Sequence, residues 1–532
     1  MKNKLKLSFT LLIACALVFA AVLPIAPVSR ASSVEDEAAR LSIGDTRDIP
    51  AGYNLYEYER ILDFLEFHEE GSSIRNGNRL SPNYDPWDPA TWGWKNGAPR
   101  FQWQTYEGEK HLARIDVSQA SGQLTGMIEL YDFPILNFVD CSDNYLLIGI
   151  SNAPSLVHLD CHNNRAIYSS IDVSASVDLE YLDCKNAYSR ELDLRSNTEL
   201  RYLNCSEVSA LDISACTKLE HLGASYTGSI EGMDISHLPL LKTLDLTQDR
   251  NILNLDFSAN PLLESIRCSG CNLRTLDVSM LPELKVLECS GNWLSELDVS
   301  VNTQLEVLYC GNNLLDTLDL VQNTKLTRLY CKNNEIAVLD LSNMPQLEVV
   351  NCSNNNITAL DFSSSPLLWG VSCSYNKLTQ IDFESNPAVL FDHVYTSGSG
   401  YVGYKNSSYE MPEEPGEAAN SMLFATTANG SEFVGWYDLD GNLVSEQTLL
   451  LIDSSVRSVV AVFTGGEPQP ALPGDADGNG TVNIADGITA LRFTLGIIDE
   501  SAIVFEAADI NGDGSVSVAD AILILRIALG VM

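Results

Sequence analysis

The sequence predicts a multidomain, mostly β chain: a solenoid with a parallel β-sheet, a small β domain, and a C-terminal α-helical module with two acidic loops. Three observations predict it. From Leu284 to Asn376 the chain repeats every 21 residues, with Cys289, Cys310, Cys331, Cys352 and Cys373 and, three residues on, Asn292, Asn313, Asn334, Asn355 and Asn376. Residues 395–464 lose that period and read as strands. Residues 474–532 hold two copies of one Asp- and Gly-rich unit.

In register the repeats read L-x-x-L-x-C-x-x-N, which at this period is the sequence form of a leucine-rich repeat. One copy cannot bury its leucines alone, so the copies must stack. Strand templates start at Leu136, Leu156, Leu179, Leu200, Leu219, Leu241, Leu263, Leu284, Leu305, Leu326, Leu347 and Leu368, which places the array at residues 123–394. At ~4.8 Å per strand these copies make a sheet roughly 55–60 Å long.

Residues 1–31 read as a secretory signal peptide. Lys2, Lys4 and Lys6 precede an apolar run from Leu11 to Leu23, and Ser29-Arg30-Ala31 offers a small-x-small cleavage site. The run is short for a membrane span. The expected address is therefore extracellular and secreted, or cell-surface-associated through a scaffold. The net charge is -39, and removing residues 1–31 would bring it to -43. Such a chain repels nucleic acid and anionic membrane, so neither nucleic-acid binding nor membrane insertion is expected.

Residues 32–122 precede the clean repeats. Leu55, Tyr58, Leu62 and Leu65 have helical spacing, and Trp87, Trp92, Trp94 and Trp103 follow. The reading is an N-terminal cap over the first repeat's open apolar edge. Exposed tryptophans that stack on sugar rings are the alternative.

Ten cysteines occupy the ladder: Cys141, Cys161, Cys184, Cys205, Cys268, Cys289, Cys310, Cys331, Cys352 and Cys373. Ala224 and Leu246 fill the same slot elsewhere, so it is a small apolar core slot that suits a buried thiol. A second column runs Asp172, Asp193, Asp212, Asp234, Asp256, Asp277, Asp298, Asp319, Asp340, Asp361 and Asp382. Stacked bare carboxylates would repel, whereas Asp readily bonds to backbone N–H in turns. The column reads as turn-capping, with loose calcium binding as the alternative.

Outward strand positions are where a solenoid meets a ligand. One column carries Phe138, His158, Tyr181, Tyr202 and His221, beside Asp140, Asp160, Asp183, Asn204 and Asp245. Aromatics flanked by carboxylates suit a protein loop or a glycan. β-propensity alone would also place Tyr there.

Residues 395–464 form the small β domain, with a hairpin at Asp440-Gly441. Residues 465–473 are a Pro/Gly linker.

The terminal module offers Asp475, Asp477, Asn479, Thr481, Asn483 and Asp486 at positions 1, 3, 5, 7, 9 and 12 of its first loop. Asp509, Asn511, Asp513, Ser515, Ser517 and Asp520 stand at the same places in the second. Calcium takes six to eight hard oxygens, and Gly480 and Gly514 at position 6 make the turn that gathers them. Two Ca2+ ions are expected. Helices are expected over residues 488–495 and 521–529.

The paired D-x-[DN]-x-[ND]-G-x-V-[NS]-x-A-D, each followed by a helix with Leu-Arg, closely resembles a dockerin domain. The resemblance covers 474–532 and implies calcium-dependent docking onto a cohesin module of a scaffolding protein, as in cellulosomes that serve polysaccharide catabolism. The partner-reading positions it implies are Ile484, Ala485, Leu491 and Arg492, and Val518, Ala519, Leu525 and Arg526. The array resembles the cysteine-bearing repeats of internalin-like proteins, which implies extracellular binding of protein or glycan.

There is no G-x-S-x-G, no H-E-x-x-H and no Gly-rich phosphate loop. The reading is a secreted, non-catalytic binding protein tethered by its dockerin. The alternatives are a polysaccharide-acting enzyme component with its activity in residues 32–122, and a cell-surface adhesin.

Overall fold

The computed structural model describes residues 49–528 except 70–71, 121, 165–169, 187–191, 207, 209–210, 227–233, 251, 253–254, 384, 387–388, 390, 392, 398, 406–420, 429–430, 440, 453–457, 465–473, 475, 477–481, 499–502 and 511–514. Twelve short parallel strands, from Phe138–Asp140 to Gly370–Ser372, pair in strict register. Tyr181 lies beside His158 on one side and Tyr202 on the other. Strand residues alternate out, in, out, so the central Leu159, Leu182, Leu203, Leu222 and Leu244 are buried. Each strand is only three residues long because the next inward residue, the ladder cysteine, is where the chain leaves the sheet. Its N–H still reaches the neighbouring rung, as from Cys289 to the Tyr309 carbonyl at 2.7 Å.

Two residues past the ladder position, wherever that residue is described, the chain turns through positive φ. Gly291, Asn312, Asn333 and Asn354 occupy that slot at 55–68°. Glycine and asparagine tolerate this region best and fill most of the slot, with Asp143, Tyr226, Gln248 and Tyr375 as exceptions. The repeat asparagine follows and locks two copies together. Asn313 Oδ1 accepts from the Leu294 N–H, and its Nδ2 donates to the Cys289 and Cys310 carbonyls, all at 3.0–3.1 Å. The aspartate column sits farther round each coil. From Asp172 to Asp361, each Oδ1 accepts the N–H two residues on, at 2.8–3.1 Å.

Helix α1 (Leu55–Glu66) packs at the N-terminal end of the array. Asn54 caps it, and Tyr58, Ile61, Phe64 and Leu65 form its buried face. The buried Glu57 binds it to the sheet, accepting from the Leu112 N–H at 2.6 Å and meeting His111 Nδ1 at 2.7 Å. Helix α2 (Asn76–Leu80) follows. Strand Phe101–Tyr106 pairs antiparallel with Glu109–Asp116, which in turn pairs in parallel with the first rung.

At the other end the sheet continues without a break. Gly400–Lys405 pairs antiparallel with the last rung and then with Met422–Thr427, which pairs with Leu449–Leu451. A second sheet orders Gln380–Asp382, His393–Ser397, Ser458–Thr464, Glu432–Tyr437 and Leu443–Ser445. The boundary expected at 394/395 therefore cuts through a strand. His393–Ser397 joins the last repeat to residues 458–464, so the array and the β region share sheets.

The C-terminal module contributes α3 (Ile484–Thr494), α4 (Phe505–Ala508) and α5 (Val518–Ala528). Helices α3 and α5 start four and three residues earlier than expected. The reason at α3 is a capping box: Asn483 accepts from the Ala485 N–H while Asp486 accepts from the Asn483 N–H. Ser517 and Asp520 repeat the arrangement at α5.

Candidate functional site

Two surfaces carry the residues singled out in the sequence. The first is the outward column of the early repeats. In-register parallel pairing puts Phe138, His158, Tyr181, Tyr202 and His221 side by side, and their rings form one unbroken stack. Successive centroids are 4.2–4.3 Å apart and successive planes differ by 2–17°. Arg114 closes one end, with its Cζ 3.3 Å from the Phe138 ring centre. Thr243 Oγ1 meets His221 Nδ1 at the other. Ring faces inside this stack are used by their neighbours. What reaches solvent is the edge of the stack: phenol hydroxyls, imidazole nitrogens and C–H groups.

The flanking column holds Asp140, Asp160 and Asp183. Asp140 accepts from Ser118 at 2.6 Å and from Ser142 at 2.7 Å. Burial pushes its carboxyl up, but these bonds and the Lys95 charge outweigh it and leave it below the usual range. Asp160 Oδ1 lies 2.5 Å from His162 Nδ1, and that bond, against partial burial, lifts the imidazole to about 9. Asp183 is 6% exposed, and burial raises its carboxyl. Burial lowers both His158 and His221. The ladder is therefore neutral in its rings and acidic along its flank.

The tryptophans of residues 87–103, for which sugar stacking was the alternative to a capping role, are not free platforms as a group. Trp92 is buried against Tyr58 and Phe101, and Trp103 packs on Tyr53. Trp94 alone of these is largely exposed, at 59%. The twelve cysteines from Cys141 to Cys373 are buried free thiols. Burial pushes Cys184, Cys331 and Cys373 up to about 12, so they stay protonated and unreactive at neutral pH.

The second surface lies on the C-terminal module. Helices α3 and α5 pack through small residues. A Cβ on Gly487 would sit 2.4 Å from Leu525 Cγ. Ala490, Ala521 and Ile524 complete the contact with Ala476, Ile503, Ala508 and Val516. Leu491 packs against this core and Leu525 lies over Gly487, so both serve the helix interface rather than standing fully outward. Both were expected among the partner-reading residues, and both are half-buried. Ile484 and Val518 are exposed at 50% and 46%, with Ala485, Ala519, Arg492 and Arg526 also exposed. Ile488 and Ile522, one turn on, are exposed too and were missed by the sequence reading. Their spacing of four from Ile484 and Val518 was the available signal.

Of the expected calcium ligands, Asp475, Asp477, Asn479, Thr481, Asn511 and Asp513 lie outside the described residues. Asn483, Asp486, Asp509, Ser515, Ser517 and Asp520 are described. The two position-12 carboxylates, Asp486 and Asp520, are fully buried at their helix starts. Buried carboxylates in a hard-oxygen donor set are what a bound calcium ion compensates.

Comparison with known proteins supplies the rest. The profile of the leucine-rich repeats, in two copies, matches residues 324–365. The profile of the dockerin type I domain matches residues 473–527. No curated protein matches the chain. Among solved structures, the functional domain of InlJ from Listeria monocytogenes, described as including a cysteine ladder, is similar at 22% identity and TM-score 0.44, over 64% of this chain and 90% of that one. The internalin InlF of the same organism is similar at 19% identity and TM-score 0.40, over 49% and 83%. YopM from Yersinia enterocolitica is similar at 25% identity and TM-score 0.40, over 50% and 56%. Among the described residues, no helix is long and apolar enough to cross a membrane. The chain thus carries leucine-rich repeats and ends in a dockerin type I domain.

Proposed function

We propose that this is a secreted, non-catalytic binding component that a calcium-loaded dockerin fastens to a cohesin module of a scaffolding protein. The match of residues 473–527 to the dockerin type I domain carries this reading. The duplicated exposed faces support it, since Ile484, Ile488 and Arg492 on α3 have counterparts in Val518, Ile522 and Arg526 on α5. Two calcium ions would be held by the twelve oxygen donors of the two loops. When bound they would neutralise the loops and fix both helix starts.

The solenoid's cargo is a protein segment rather than a glycan. Sugars stack on open aromatic faces, whereas the faces between Phe138 and His221 are covered by one another. The ring edges, with Asp140, Asp160 and Asp183 beside them, suit hydrogen bonding to polar side chains and backbone.

The test is capture of the full chain on immobilised cohesin modules, with calcium and with chelator. Retention that chelator reverses supports the reading. No retention on any type I cohesin in calcium overturns it.

A further inference from the structure

Asp160 and Asp183 are register partners on adjacent strands. His162 stands just past the ladder cysteine of the first of these. In the other eleven copies that slot holds Ser142, Lys185, Ser206, Ser225, Thr247, Ser269, Ser290, Gly311, Lys332, Ser353 and Ser374, so a histidine there departs from the repeat. Ligand atoms of Asp160, His162 and Asp183 all lie within 4.8 Å of one another. Ligands on one ion at ~2.1 Å bonds stand ~3.4 Å apart, so the ion would replace the shared proton of the 2.5 Å Asp160–His162 contact, that pair opening while the wider spacings close.

The surroundings match as well. Asp143 Oδ1 lies 3.6 Å from His162 Nε2, an ion-pair contact from which a small shift would let the carboxylate accept a hydrogen bond from the nitrogen that does not bind metal. Asp183 Oδ2 accepts from Tyr202 Oη and from Asn204 Nδ2, both at 3.3 Å, which fixes that carboxylate's orientation. Asp183 is also almost wholly buried, so its charge is poorly served by water.

We propose that Asp160, His162 and Asp183 bind one divalent ion of the zinc class, beside the His158–Tyr181 stack. One imidazole nitrogen with two carboxylates favours zinc over calcium, whose sites are built of oxygen alone. Three protein ligands leave a coordination position open. The ion would tie two neighbouring repeats together through side chains. This site is independent of the dockerin and of its partner.

The test uses the full chain held in excess calcium, so that the C-terminal loops are occupied. Zinc chloride is titrated calorimetrically, and cobalt(II) serves as the visible-absorbing stand-in. The expected result is one zinc-competable cobalt site per chain. His162→Ser, the residue type commonest in this slot, removes it. Asp183→Asn removes it independently. Asp143→Asn weakens it by about tenfold. Each variant is checked for an unchanged circular dichroism spectrum without zinc. Absence of zinc binding in the wild-type chain, or binding unchanged in both His162→Ser and Asp183→Asn, overturns the proposal.

Discussion

The ring of Phe138 lies flat against that of His158, with centroids 4.3 Å apart and planes 2° apart. Such a pair is a direct product of parallel pairing. Identical strand positions in neighbouring repeats lie about one strand spacing apart, a little more than the thickness of an aromatic ring. Any planar side chain repeated in that column can stack. The ladder is thus a packing device as well as a surface, and its middle member matters most.

Tyr181 is that member, stacked on His158 and Tyr202. Tyr181→Ala removes two ring contacts, each worth about 0.5–1.5 kcal/mol beyond area burial. The expected loss is about 1–3 kcal/mol from these contacts alone, read as a lower urea midpoint at constant m. Tyr181→Phe keeps both contacts and should stay near the wild type. Equal losses in the two variants would show that the hydroxyl, not the stack, matters.

His221 gives the ladder a pH dependence. Burial lowers its pKa from 6.5, although Asp245 opposes the shift. The unfolded chain then binds a proton before the folded chain does, so stability rises with pH in this window. The contribution is complete above 6.5 and is lost as pH falls through the lowered folded value. His162 has the opposite sign: its contribution is fully present below 6.5 and is lost as pH rises through its raised folded value of about 9. Comparing His221→Gln with the wild type isolates the first effect. Unfolding free energies at about pH 7.5 and about pH 5.5 should differ less in the variant.

Much of this was legible because the repeat fixes what varies. A slot that takes Cys, Ala or Leu had to point inward, and Cys310, Ala224 and Leu246 are all buried. The Asp column read as turn-capping, and Asp298 accepts the Ser300 N–H at 2.9 Å. A third column escaped notice. Asn197, Asn260, Asn302, Asn323 and Asn386 are buried in the connecting turns, and Asn323 Nδ2 donates to the Val299 and Asn302 carbonyls at 3.0 Å. Its slot also holds Met344 and Ser365, and it lies in irregular backbone, so no period-2 or helical pattern marks it. Stacking was hidden for another reason: a sequence gives the column but not the side-chain torsions.

The two kinds of capping residue should differ sharply in cost. Asn313→Ala orphans the Leu294 N–H inside the array and takes one of two donors from each of the Cys289 and Cys310 carbonyls, which keep their bonds from Asn292 and Asn334. At about 1–3 kcal/mol for the orphaned N–H and about 0.5–1.5 kcal/mol for each lost carbonyl bond, the loss should be about 2 kcal/mol or more. Asp298→Ala frees one N–H at an exposed turn, where water replaces the carboxylate, and should cost about 1 kcal/mol or less. Denaturant unfolding of both variants checks the ranking, and similar costs would refute it.

The last expectation concerns redundancy in the dockerin. Ile484 and Val518 hold the same place on α3 and α5, and both are half exposed. If either face can seat the cohesin, losing one of two equivalent modes costs a factor of about two, or about 0.4 kcal/mol. Losing both removes an apolar anchor from every mode and should cost about 2 kcal/mol or more. Calorimetric titration of the full chain with a cohesin module, in calcium, distinguishes the cases. Ile484→Asp and Val518→Asp should each bind within about threefold of wild type, and the double variant should bind far more weakly. Because both side chains are exposed, helix content should not change. Abolition of binding by one single variant would assign the partner to that helix alone, and the symmetry of the two copies would then serve the internal packing of Gly487 against Leu525 rather than recognition.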